Sequence, residues 1–180
     1  MDWYTDLAAI MPPPAETRAA APQDWAAAEA ALNTALPDDF KRYAETWGPA
    51  YVGGFLYTCA PAHQNSNVDL VENARYVSDA LSTLKSHHPD RYSAAVFPEA
   101  GGFLANGRTD NGDFLGWMTR GSDPNAWPAA IWGDEDGAPQ VFEGMGFGQM
   151  IHGIVAGTLR PEAFPDGLWK ATPLDAAQLD

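Results

Sequence analysis

The 180-residue chain predicts an α+β fold: an antiparallel β-sheet flanked by an N-terminal helix pair, one long central helix and a C-terminal helix. Two observations carry this. Helical patterns come first, a run of short strands follows, and a helix closes the pattern, which is the segregated order of α+β proteins rather than the alternation of a parallel sheet. The links between strands are short. Asp110-Asn111-Gly112-Asp113 and Asp134-Glu135-Asp136-Gly137 have hairpin chemistry, because Asn-Gly and Asp-Gly supply positive φ. Consecutive strands on such links pair antiparallel.

The elements follow in order. Residues 2–10 can form one or two helical turns with Trp3, Leu7 and Ile10 on one face, and Met11-Pro12-Pro13-Pro14 stops them. Pro22 suits the first position of a helix carrying Trp25, Ala28, Glu29 and Leu32, and Asn33 tolerates the left-handed conformation that ends it. Leu36-Pro37 starts a second short helix, with Phe40, Tyr43 and Trp47 on one stripe and Gly48 at its close. Residues 52–59 read as one strand and 60–67 as a polar loop. Asn67 is the expected N-cap of a helix over 69–88, whose stripe is Leu70, Ala74, Val77, Leu81 and Leu84. Short strands follow at 103–109, 114–119, 129–132 and 140–142. Residues 147–156 form the closing helix, ended by Gly157. This divides the chain into a Pro/Ala-rich extension (1–21), a domain (22–157) and a tail (158–180), where Phe164, Leu168 and Trp169 can dock.

Composition narrows the function. Ten Lys+Arg against 24 Asp+Glu give a net charge of −14. This argues against direct nucleic-acid binding, which needs a cationic face, and against anionic membranes. A basic partner fits better. The acidity is even, with 12 acidic residues in each half of the chain, so it is a property of a folded surface and not of a tail. The single Cys59 excludes an internal disulfide framework and a cysteine-based zinc site. The N-terminus lacks the basic and apolar regions of a secretory signal, and no stretch reaches the length of a membrane span. A soluble, cytoplasmic protein is expected.

Several motifs are ordered along the chain. The segment 25–41 contains Trp25, Glu29 and Leu36-Pro37-Asp38-Asp39-Phe40-Lys41, and Gly48 follows. Gly101-Gly102-Phe103-Leu104, Asp110-Asn111-Gly112-Asp113-Phe114-Leu115-Gly116-Trp117 and Asp123-Pro124-Asn125-Ala126-Trp127-Pro128 come later. Over residues 22–157 this succession resembles the SMI1/KNR4 family of the SUKH superfamily. Asn33 stands where that family usually has Gly. The resemblance implies a SUKH-like fold in which Trp25, Glu29, Leu36, Pro37, Phe40 and Gly48 define structure. It also implies a non-enzymatic binding protein. Bacterial members are typically immunity proteins that block a cognate toxin, often a nuclease, by direct binding; fungal relatives are linked to cell-wall regulation and scaffolding. The resemblance carries no catalytic residue and no cofactor.

The residues that could bear chemistry have ordinary structural readings. Glu29, on an apolar stripe, is expected to be a partly buried carboxylate accepting N–H bonds. Cys59 and His63 read as a buried strand cysteine and a loop histidine. His87-His88 diverge by about 100° around a helix and make no chelating face; they complement its dipole. Gly144-Met145-Gly146-Phe147-Gly148 opens a helix after a strand but lacks the spacing of a dinucleotide loop. Asp134-Glu135-Asp136-Gly137 is too short for a calcium loop. No catalytic, metal or cofactor residue is assigned.

Partner binding is the remaining role. Asp110, Asp113, Asp123, Asp134, Glu135 and Asp136 fall on expected loop tips, and gathered at one end of the sheet they would form an acidic rim that steers a cationic partner. Dispersed, they would only solvate the surface. Trp127, beside Pro128 in a loop, is the candidate exposed anchor. Three functions stay open: neutralising a basic toxin, a regulatory or scaffold module of the same fold, and a hydrolase or metal enzyme using Asp and His groups.

Overall fold

The computed structural model describes residues 2–15 and 20–179. The helices are α1 (Trp3–Ile10), α2 (Pro22–Leu32), α3 (Asp38–Trp47), α4 (Leu70–His87) and α5 (Phe147–Ala156). The strands are β1 (Ala50–Val52), β2 (Leu56–Thr58), β3 (Phe103–Thr109), β4 (Phe114–Met118), β5 (Ala129–Trp132), β6 (Gln140–Phe142) and β7 (Ala176–Gln178). Among the described residues, the seven strands join one antiparallel sheet, in the order β6-β5-β4-β3-β2-β1-β7. The chain is therefore an α+β protein with N-terminal helices, one long central helix, a C-terminal helix and a multi-stranded antiparallel sheet.

Both faces of the central strands are covered. On one face Leu104, Leu115, Trp117 and Ile131 join a core with α1, α2, α3 and α5. On the other, Phe103, Ala105, Met118, Ala130 and Trp132 pack with Val77 and Leu81 of α4 and with Tyr92 and Val96. All four residues of β5 are buried, as a strand covered on two sides requires.

The segment containing Glu29 and Phe40 locks the helix pair. Asn33 turns α2 off at φ 52°. Glu29 then accepts a hydrogen bond from the Leu36 N–H at 2.9 Å and pairs with Lys41 at 2.6 Å. Burial raises the Glu29 pKa, but the bonds from Lys41 and Leu36 outweigh it and hold the carboxyl below its ordinary value. Beneath this corner Phe40 meets Trp25 edge-on at 5.8 Å, and Trp117 and Phe147 at 5.0 Å each.

Three features of the first hairpin and of α4 differ from the sequence expectation. Residues 52–59 are a hairpin and not one strand, because Gly53 and Gly54 both take left-handed φ (62° and 60°) and reverse the chain between β1 and β2. The N-cap of α4 is Asp69 and not Asn67: its Oδ1 accepts from the Glu72 N–H at 2.9 Å, while its Oδ2 holds the His63 N–H at 3.1 Å. Leu84 lies on the expected stripe but is exposed, because the last turn of α4 extends past the packed core.

The N-terminal extension and the tail share the main core. Leu7 is fully buried, α1 packs on α5, and the Trp47 indole donates to the Met11 carbonyl at 2.9 Å. In the tail, Trp169 is buried and donates to the Ile154 carbonyl at 3.0 Å, and β7 extends the sheet beyond β1. Ala176-Ala177-Gln178 has no apolar alternation, so nothing in its sequence marked it as a strand.

Replacing Glu29 by Ala should cost about 1–2 kcal/mol, since it orphans the Leu36 N–H. A carboxyl with a lowered folded pKa stabilises above its unfolded value, near 4.5, and loses that contribution as pH falls through the folded value. The gap between wild-type and Glu29→Ala urea midpoints should therefore be full at neutral pH and shrink on acidification below 4.5. A gap that ignores pH would assign the effect to packing alone.

Candidate functional site

The β3–β4 and β5–β6 turns lie at the same end of the sheet, as antiparallel order dictates for alternate hairpins, and the β1–β2 turn joins them there. The Asp110 N–H bonds the Phe55 carbonyl at 3.0 Å. The Tyr51 hydroxyl lies 2.6 Å from Asp110 Oδ2 and 2.7 Å from the Gly54 carbonyl oxygen. The Asp110 bond raises the Tyr51 pKa above that of an ordinary phenol, so Tyr51 stays protonated as a donor.

Asp113 is the staple of this end, and it corrects the expectation of an exposed tip charge. Only 3% exposed, it accepts from Thr109 Oγ1 at 2.6 Å and from the Asp134 N–H at 3.2 Å. One carboxylate thus joins the two turns. A charge placed so is held for the N–H and O–H groups it satisfies, not for solvent. The β5–β6 turn is also fixed by the Trp132 indole, which donates to the Asp136 carbonyl at 2.7 Å, and by Arg91, which donates to the Glu135 carbonyl.

What remains exposed is Asp110, Asp134, Glu135 and Asp136. Among the described residues none of the four enters a salt bridge. Asp134, Glu135 and Asp136 edge a cleft of about 320 Å³ with Asn111 and Ala163. Asp110 and Asp134 also edge a second cleft, of about 380 Å³, whose other walls are Tyr57, Phe114, Arg108 and, from α4, Tyr76. In register, Tyr51 faces Tyr57, Tyr57 faces Arg108 and Arg108 faces Phe114, so these four lie on one face of the sheet. Tyr51 and Tyr57 stack at 4.4 Å. An acidic lip therefore adjoins an aromatic floor.

Two expected members are elsewhere. The β4–β5 connection lies at the opposite end of the sheet. There Asp123 caps a 3₁₀ turn, accepting from the Asn125 N–H at 3.0 Å, and Asn125 bonds the Asp38 N–H at 2.8 Å. Trp127 is no exposed anchor: it is buried in the main core at 5% exposure, because Pro128 leads directly into a strand covered on both faces. Sequence reasoning missed Tyr51, Tyr57, Tyr76 and Arg108. Two signals were available. Tyr76 is an aromatic on the polar side of an amphipathic helix, and Arg108 is the one charge in its strand.

The remaining chemical candidates make structural contacts or are buried. Burial pushes the Cys59 thiol pKa well up, which leaves it unreactive as a thiolate. His87 Nδ1 lies 2.8 Å from the Thr83 carbonyl on its own helix. The glycine-rich entry to α5 is already occupied by a carboxylate, since Asp39 Oδ2 accepts the Gly148 N–H at 2.9 Å. Burial raises the Asp39 pKa against the bonds from Gly148 and its neighbours. Among the described residues no group of three His, Cys, Asp or Glu side chains is arranged to hold a metal ion. No helix there is long and apolar enough to cross a membrane. Scans of family models, curated proteins and solved structures return no match to this chain.

Asp113→Ala should destabilise the fold by about 1–3 kcal/mol, since it strands Thr109 and the Asp134 N–H. Asp134→Asn, Glu135→Gln and Asp136→Asn together should stay within about 0.5 kcal/mol of wild type, as exposed substitutions do. Urea unfolding of both variants reads this contrast, and equal losses would remove the distinction between staple and rim.

Proposed function

We propose that this chain is a non-enzymatic immunity-type protein of the SMI1/KNR4 (SUKH) kind, acting in the cytoplasm by binding and blocking a basic toxin, with no catalytic residue and no cofactor of its own. The observation that carries the reading is the gathering of Asp110, Asp134, Glu135 and Asp136 at one end of the sheet, without salt bridges among the described residues, beside an aromatic floor. A protein that grips phosphate must present cationic groups where it does so. The acidic lip would steer such a surface into contact. The floor of Tyr57 and Phe114, with Tyr76 at its wall, offers ring faces on which arginine or lysine side chains can lie, with Asp110 and Asp134 as their counter-ions.

The motif residues on which the resemblance rests are structural in this chain. Trp25, Glu29, Leu36, Pro37 and Phe40 form one contiguous corner, and Gly48 ends α3 at φ 67°. They read as residues that shape the fold, which leaves the loop ends free to vary with the partner.

The test is co-expression with the toxin domain encoded beside the gene, followed by purification of the pair. A stoichiometric complex that protects cells is expected. Reversing Asp134, Glu135 and Asp136 to Lys should slow association about tenfold at low salt and flatten its salt dependence. Unchanged kinetics would move the interface elsewhere. No complex and no protection would overturn the reading in favour of a scaffold module.

A further inference from the structure

Arg108 and Tyr76 also line a separate cleft of about 370 Å³, between β3 and the start of α4. Its polar walls include Glu72, Asn73 and Arg108. Their partnering is uneven. Lys41, Arg75, Lys85 and Arg120 each meet a carboxylate within 2.6–3.3 Å. Arg108 is half-buried, yet among the described residues its side chain makes no ion pair or hydrogen bond; its guanidinium lies 5.9 Å from the centre of the Tyr57 ring. Asn73 is 3% exposed, and its Oδ1 has no hydrogen-bond partner. A buried acceptor left so costs about 1–3 kcal/mol. Glu72 is held only by Arg75, on its own helix, at 3.3 Å.

These three groups ask for different things from one occupant. The Arg108 fork suits a carboxylate. Asn73 Oδ1 and the Glu72 carboxylate both accept, so they suit N–H donors. A simple anion would satisfy Arg108 but meet Glu72 and leave Asn73 unpaired. A simple cation would satisfy Glu72 but meet Arg108. A small molecule carrying both charges satisfies all three, and its remaining apolar part can lie on the Tyr76 ring, which is 62% exposed. The cleft is at the small end of the range for ligand sites, roughly 300–1,000 Å³.

We propose that this cleft binds a free α-amino acid as its zwitterion, with the carboxylate on Arg108, the ammonium between Glu72 and Asn73, and an apolar side chain on Tyr76. The two clefts share Tyr76 and Arg108, but the titration below uses the chain alone, so its outcome does not depend on the toxin-binding reading.

The experiment is titration of the ¹⁵N-labelled full chain with L-phenylalanine, N-acetyl-L-phenylalanine and L-phenylalaninamide. L-Phenylalanine should shift the amides of Asn73, Tyr76 and Arg108 with a Kd in the range of about 10 μM to 1 mM. Removing either charge from the ligand should weaken binding at least about tenfold, or 1.4 kcal/mol. Arg108→Met and the exposed Glu72→Gln should each do the same while keeping the wild-type circular dichroism. If Arg108→Met fails to fold, Glu72→Gln and the blocked ligands decide the matter. No shift with glycine, L-leucine or L-phenylalanine up to about 10 mM would overturn the proposal. So would equal binding of the free and N-acetylated ligand, which would mark an anion site only.

Discussion

Phe40 is the contact on which the rest of the structure depends. It has no accessible surface and touches rings from three other elements: Trp25 of α2, Trp117 of β4 and Phe147 of α5. Each meeting is close to perpendicular, the arrangement that sets the positive edge of one ring against the negative face of another. The helix pair, the central sheet and the closing helix are thereby fixed at one point. Leu36 and Pro37 are buried just before it, and the Glu29 carboxylate closes the chain around that turn. Tryptophan indoles then fasten outlying segments to this frame. Trp47 reaches the Met11 carbonyl, Trp132 the Asp136 carbonyl and Trp169 the Ile154 carbonyl. Each of these three is a large apolar body that also carries one N–H for a neighbouring backbone, whereas the buried indole N–H groups of Trp25 and Trp117 have no partner among the described residues.

The acidic end of the sheet is ordered by the same economy of buried polar groups. Carboxylates there divide into two kinds by what they satisfy. Asp113 faces inward and holds two turns together; Asp110 is pinned by a tyrosine; Asp134, Glu135 and Asp136 face water. The rigidity of the first kind sets where the charge of the second kind stands. A partner approaching this end would meet charge already in place, without ordering a loop first.

The sequence revealed most where periodicity was long or turn chemistry was local. The five helices and the strands at 103–109, 129–132 and 140–142 lie where apolar spacing and Gly, Asn and Pro punctuation indicate. It was silent where the deciding contact came from afar. The β1–β2 reversal rests on two glycines inside an apolar run, and β7 is a strand only because β1 offers it an edge. The site was legible in part. Asp110 and the 134–136 cluster are marked by loop composition. Nothing local told buried Asp113 from its neighbours or sent Asp123 to the opposite end, because alternation of hairpin ends is a property of the whole sheet. Trp127 misled for the same reason: a tryptophan beside a proline reads as a loop residue until the strand after it is seen to be covered twice.

Both ends of the described chain close on α5. Trp3 lies against Gly148 so tightly that a Cβ there would sit 2.4 Å from the ring, and Leu174 donates to the Val155 carbonyl at 2.9 Å. This helix is buried on nearly every side. In synthesis α1 emerges well before its docking surface on α5, and Leu174 emerges later still. Until α5 emerges, the face of α1 that docks on it stays uncovered. Closure of the core is a late, long-range event, the kind of step that is slow and open to capture by chaperones or by other chains.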